Sequence, residues 1–283
     1  KGKEGKDSLA SKRKEVDAIL DTFDERQLTE IVQILHKKSL QNNILKYSKD
    51  INVSDLSSEE FLFLSLVSKY NGNVIRKIFI DMGLSDYYFK KYIGEYNLDN
   101  IDRGVYLFPG SKIDAEFVVQ NIYSTTVISH ESALYKLGLT DVIPTKTIMS
   151  VSYNYNLAQI KKTSSYIFKE KVSEKIQGVA LSYENNDPIL IVSSEAISKE
   201  DTQKGYTDLG NPIRVTKEER TIVDILKRGH HTEEEIKVEA IRRYLFKFPN
   251  NKTKLRRKAA EHHVLKELDK ILLHYQHIME GKI

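Results

Sequence analysis

The sequence contains no cysteine, which excludes disulfides and thiolate metal sites and fits a cytoplasmic protein. It has no run of about 18 apolar residues, so no transmembrane helix is expected. No apolar segment of the signal-peptide kind lies near the start. Both common phosphate loops, GxxxxGK[ST] and GxGxxG, are absent, and nucleotide binding loses its usual support. There is also no GxSxG nucleophile elbow, no HExxH zinc pair and no GS…DxD pattern of a nucleotidyltransferase. These gaps point away from an enzyme, and no cofactor or metal is expected. Histidines do occur in pairs, His230 with His231, His262 with His263, and His274 with His277. None of these pairs has a third ligand at suitable spacing.

What is present is a chain of 283 residues, 40% hydrophobic and 30% charged, which reads as globular with two or three domains. The net charge of +4 is unevenly spread. Residues 216–283 carry 16 basic and 11 acidic groups, whereas residues 51–110 carry 6 and 8. Phosphate contacts supply most non-specific DNA affinity. A DNA reader within 51–110 must therefore work through a local basic face, with the basic C-terminus available for further phosphate contacts.

Residues 1–50 form a helical extension by pattern. Val16, Ile19, Leu20 and Phe23 recur at helical spacing, and Leu28, Ile31, Ile34 and Leu35 resume it after a break at 21–25. A helical hairpin or a self-associating arm fits. Ser57-Ser58-Glu59-Glu60 then opens a helix with a cap and an acidic first turn. A second helix is expected over 74–82, with Ile75, Ile78 and Phe79 inward. Gly83-Leu84-Ser85 makes the turn, and Ser85-Asp86 caps a third helix to about 96. Helix, glycine turn, helix is the helix-turn-helix pattern, and residues 101–108 supply a wing. On the third helix Asp86, Tyr87, Lys90, Lys91 and Gly94 share a face, while Phe89, Ile93 and Tyr96 turn inward. Tyr87, Lys90 and Lys91, with Lys77 on the second helix, suit phosphates and base edges. Arg103 at the wing tip can reach DNA or pair with Asp99 or Asp102.

Residues 111–283 mix the two periods. A helix is expected over 115–122 and a short strand over 126–129. Ser129 is placed to cap a helix closed by Gly138. Strands are expected over 147–153, 177–183 and 189–192, an irregular polar stretch over 198–211, and helices over 216–228, 232–247 and 252–279. His130 and Glu131 beside Ser129 look like hydrolase equipment, but neighbours on a helix do not face one another. A capped helix with a polar first turn is the better reading. Arg220 and Asp224 form an i,i+4 pair that pins its helix to the sheet if buried, or faces a partner if exposed. The basic run Lys252, Lys254, Arg256, Arg257, Lys258 is either a solvated helix start or a phosphate contact.

Four segments together resemble the AbiEi antitoxin family of bacterial abortive-infection (type IV) toxin-antitoxin pairs. They are Arg103-Gly104-Val105-Tyr106, Ile128-Ser129-His130-Glu131-Ser132-Ala133-Leu134, Gly138-Leu139-Thr140-Asp141 and Glu219-Arg220-Thr221-Ile222-Val223-Asp224. Their order and spacing match over roughly residues 55–275. The expected class is α+β: a helical extension (1–50), a winged helix-turn-helix (51–110), and a mixed α/β antitoxin domain with a helical C-terminus (111–283). The resemblance implies a repressor that binds inverted repeats in double-stranded DNA upstream of its own operon, as a homodimer or by cooperative assembly. It also implies an antitoxin that counteracts a co-encoded nucleotidyltransferase-like toxin in phage defence without a stable complex. Ser129, His130, Glu131, Arg220 and Asp224 would then belong to the core motif of the antitoxin domain. The alternative is a winged-helix regulator with no toxin, whose C-terminal domain senses a ligand or mediates assembly.

Overall fold

Glycine, proline and short polar turns cut this chain into mixed α/β structure with a helical C-terminus. A computed structural model describes residues 56–158, 160, 167–168, 178–183, 186–227, 229 and 231–279, with backbone only at 167–168 and 275–279. It also describes residues 19, 22–24 and 27–28, where Asp24 and Gln27 bond reciprocally as a capping box, at 2.8 and 3.0 Å. The rest of the 1–50 extension lies outside the described residues.

The first helix, α1 (Ser58–Lys69), starts where the Ser57 hydroxyl accepts from Glu60 N at 3.2 Å. It buries Phe63, Leu64, Leu66 and Val67. Strand β1 (Asn73–Ile75) follows, then α2 (Arg76–Asp81) and α3 (Asp86–Glu95). The expected second helix thus begins two residues late, because Val74 and Ile75 pair with Tyr106 and Val105 as a strand. Ser85 caps α3, and Phe89 and Tyr92 are its buried residues. Strands β2 (Asp99–Asp102) and β3 (Val105–Leu107) form a hairpin, and the small antiparallel sheet runs β1-β3-β2. Aromatic rings fill the space between: Phe63 lies 5.5 Å from Phe79, 5.3 Å from Tyr92 and 5.9 Å from Tyr96.

The second half is built on a seven-stranded mixed sheet. Its members are β4 (Val127–Ile128), β5 (Thr147–Ser152), β6 (Ile167–Phe168), β7 (Gly178–Leu181), β8 (Ile189–Ser194), β9 (Thr202–Tyr206) and β10 (Pro212–Thr216), in the order β6-β7-β8-β5-β4-β10-β9. The β5–β8 and β4–β10 pairs are parallel. Helices α4 (Ala115–Ile122) and α5 (His130–Lys136) interleave with these strands. Strand β9 occupies ground that reads as polar and irregular in sequence (198–211), where it pairs with β10 at the sheet edge.

The C-terminal layer holds α6 (Glu218–Leu226), α7 (Glu234–Lys247), α8 (Lys252–Glu261) and α9 (Leu265–Met279). Helix α6 is enclosed: every residue from Glu219 to Leu226 is buried. The single long helix expected over 252–279 is broken, with His263 at φ 60° and Val264 N donating to Ala259 O at 2.9 Å. Among the described residues no helix is long and apolar enough to cross a membrane.

Candidate nucleic-acid interface

Strand β1 ends beside the start of β3, since Ile75 pairs with Val105. That register puts the tip of the β2–β3 hairpin next to the first turn of α2. Arg76 N donates to Gly104 O at 2.9 Å, which ties tip to helix. The Arg76 side chain then reaches α3: Nε donates to Asp86 Oδ1 at 2.8 Å and Nη2 lies 2.6 Å from it. Lys90 Nζ closes the chain on Asp86 Oδ2 at 2.8 Å. Hydrogen bonds from Lys90 and then Arg76 hold the Asp86 carboxyl below its ordinary pKa. One exposed surface therefore gathers the hairpin tip and the first turns of two helices.

The residues selected from sequence fall around this junction. Tyr87 is 72% exposed. Lys77 and Arg103 are exposed, and neither side chain is in an ion pair with a described residue; the Asp102 carboxylate accepts from Arg103 N at 2.7 Å instead. Lys91 sits one step round the helix, 3.7 Å from Glu95 and 5.3 Å above the Tyr92 ring. The negative charge of Glu95 raises the Lys91 pKa. Arg76 is a member of this surface that the sequence pattern does not single out. Its role rests on a partner ten residues away, which helical spacing does not reveal.

The second group lies apart from this face. Ser129 is fully buried and makes no capping bond. Its hydroxyl instead meets Ser150 Oγ at 2.7 Å and His130 Nδ1 at 2.8 Å. Ser129 and His130 thus face one another across the helix start, where His130 adopts φ 54°. The Ser132 hydroxyl donates to Lys146 O and accepts from Ile148 N, fastening α5 to β5. Glu131 accepts from the Thr232 hydroxyl. With Ser129 and His130 enclosed, their hydroxyl–imidazole pair is closed to a reactant in this conformation.

Arg220 and Asp224 are 1% and 0% exposed. Arg220 Nε donates to both Asp224 oxygens at 3.0 and 3.1 Å, and its other nitrogens donate to Ala196 O and Glu195 O. Lys227 joins Asp224 to Glu195, and His262 reaches Glu195 from α8. Lys258 lies 2.6 Å from Asp201. Burial pushes the Glu195 and Asp201 carboxyls up, but the His262 and Lys227 contacts on one and the Lys258 and Arg220 contacts on the other hold both below their ordinary values. This ionic seam locks α6 and α8 onto the 195–201 loop. In the basic run, Lys254, Arg256, Arg257 and Lys258 pair with Glu219, Asp269, Glu261 and Asp201. Most of that charge is thus neutralised within the fold.

No family model matches the chain, and no curated protein matches it. Among the solved structures that resemble it weakly are two from Helicobacter pylori. One is described as a "putative nucleotidyltransferase" from H. pylori: TM-score 0.35, 17% identity, covering 57% of this chain and 78% of that one. The other is JHP933 from Helicobacter pylori, with the same TM-score, identity and share of this chain, and 75% of its own. Likeness at this level does not establish a shared fold.

Proposed function

We propose that this chain is a DNA-binding antitoxin of the AbiEi type, and that residues 51–110 are a winged helix-turn-helix. In this reading α3 enters the major groove with Tyr87, Lys90 and Lys91, Lys77 holds a backbone phosphate, and Arg103 on the wing contacts the flank. The observation that carries it is the convergence of hairpin tip, α2 start and α3 start on one exposed surface, stitched by Arg76 to Gly104 and Asp86. Two copies on inverted repeats upstream of the operon would repress it in the cytoplasm. The remaining half of the chain would counteract the co-encoded toxin.

The test is anisotropy binding to DNA from immediately upstream of the gene, in a salt series, with a Lys90→Ala, Lys91→Ala, Arg103→Ala variant. Tight, sequence-selective binding is expected, with a salt slope shallower in the variant by about 0.9 for each phosphate it no longer neutralises. Binding no better than to random DNA rejects the reading. The antitoxin half is tested by co-expression with the adjacent toxin-like gene, where growth rescue is expected and continued growth arrest counts against it.

A further inference from the structure

A groove of about 610 Å³ runs from α2 across α4 to the β9–β10 edge of the large sheet. Its charges are Lys77 and Asp81 on α2, Lys204 on β9 and Arg214 on β10, with Asn121 on α4 between them. The cations here differ from those of the C-terminal helices, where carboxylates neutralise most of the charge. Neither Lys77 nor Lys204 is in an ion pair with a described residue, and Lys204 Nζ rests 5.0 Å above the exposed Tyr206 ring. Arg214 donates to the carbonyls of Ser124 and Thr126, so its guanidinium is held by neutral groups rather than by a carboxylate, and burial lowers its pKa. Three cations against one carboxylate leave this channel positive. Lys77 belongs both to the groove and to the face assigned to DNA.

We propose that this groove takes the sugar–phosphate backbone of duplex DNA flanking the sequence read by α3, so that the footprint runs off the winged unit onto the sheet edge. The proposal rests on the DNA-binding reading above. A phosphate backbone suits the groove because the groove is open along its side and offers separated point charges, which is how lysines hold phosphates.

The test uses the full chain and two duplexes from the upstream region. One is the shortest that retains specific binding; the other is extended by about one helical turn on each side. Wild type is compared with Lys204→Glu, Lys204→Arg and the Lys90→Ala, Lys91→Ala, Arg103→Ala variant. Wild type should bind the longer duplex at least about threefold tighter, with a salt slope steeper by about 0.9 per added phosphate. Lys204→Glu should erase that gain and leave the short duplex within about twofold, which also reports that the variant is folded; Lys204→Arg should keep it. If extension brings no gain, or Lys204→Glu retains it while the triple variant loses binding, the groove proposal is overturned and the DNA reading stands. If wild type does not prefer upstream DNA over random sequence, both fall together.

Discussion

Asp224 is a carboxylate with no access to water, and its stability contribution depends on who shares the burial. Arg220 grips it through both oxygens and Lys227 adds a third contact. Removing one partner of a buried pair strands the other, at a cost of about 3–5 kcal/mol, while replacing both with apolar groups is often close to neutral. Asp224→Ala should therefore lower the urea midpoint sharply, and Arg220→Met with Asp224→Leu should cost less than that single change. A single-variant loss below about 1 kcal/mol would show the pair to be dispensable. The acid limb follows from the depressed carboxyls Glu195, Asp201 and Glu219. For Glu219, burial raises the pKa, but Lys254 and Tyr244 outweigh it. A depressed folded pKa adds stability that is complete above the unfolded value of about 4 and is lost as pH falls through the folded one. Glu116 has the opposite sign: burial keeps its carboxyl raised despite Lys136, so its contribution favours folding below about pH 4 and is lost as pH rises. With Asp86 and Asp141 also depressed, five lowered carboxyls stand against one raised among the described residues, and the urea midpoint should hold from pH 7 to 5 and fall below about 4. Asp201→Asn should lose less between pH 5 and 3 than wild type; an equal loss would remove Asp201 from the account.

At the scale of elements, two glycines with left-handed backbone separate conformation from crowding. Gly104 at the hairpin tip has φ 72°, and a Cβ there would only touch Arg76 at 3.8 Å. Gly72 has φ 80°, and a Cβ would overlap both Cβ and Oγ of Ser111. The left-handed penalty is about 1–2 kcal/mol at either site, and overpacking adds about 1–3 at Gly72 alone. Gly72→Ala should thus destabilise well beyond Gly104→Ala, and Ser111→Gly should recover part of the difference in thermal unfolding. Equal losses, or no recovery, would assign the whole effect to backbone strain. The sequence made some elements legible and hid others for related reasons. Helices α1 and α3 declare themselves through Ser57 and Ser85 caps and 3–4 apolar spacing, and β5 and β8 through short runs rich in β-branched residues. Strand β1 reads as helix because Val74 and Ile75 continue an apolar period; only pairing with β3, thirty residues on, makes them extended. The break at His262–His263 carries no glycine to announce it. Of the candidate interface, the exposed face of α3 was legible from period alone. Its junction with the hairpin was not, because Arg76 acts through the Gly104 carbonyl and a carboxylate on another helix.

At the scale of the whole molecule, a buried polar knot joins the two halves. Asp114 caps α4 by accepting from Phe117 N, and its other oxygen accepts from Thr207 Oγ1 and from Asn211 Nδ2 at 2.8 Å. Asp114 N donates to Asn73 Oδ1 at 2.8 Å, and the Asn73 amide donates to the carbonyls of Tyr70, Asn71 and Lys112. Asn211 Nδ2 also meets Tyr70 O, and Tyr70 stacks on Phe117 at 5.2 Å. The α1–β1 turn is thereby bonded to α4 and to the loop between β9 and β10, inside one continuous apolar core. Each buried donor left unmet costs about 1–3 kcal/mol, so Asp114→Ala, which strands Thr207, Asn211 and the α4 start, should cost several. Because the knot is shared, that loss should not stay local. Native-state hydrogen exchange should show α1 and α3 amides losing protection together with those of β5 and β8, in a single cooperative unit. If Asp114→Ala weakens the sheet while the amides of α1 and α3 keep their protection, the halves fold independently. The placement of Lys204 relative to Lys77, and with it the groove's extended footprint, would then lose its rigid frame.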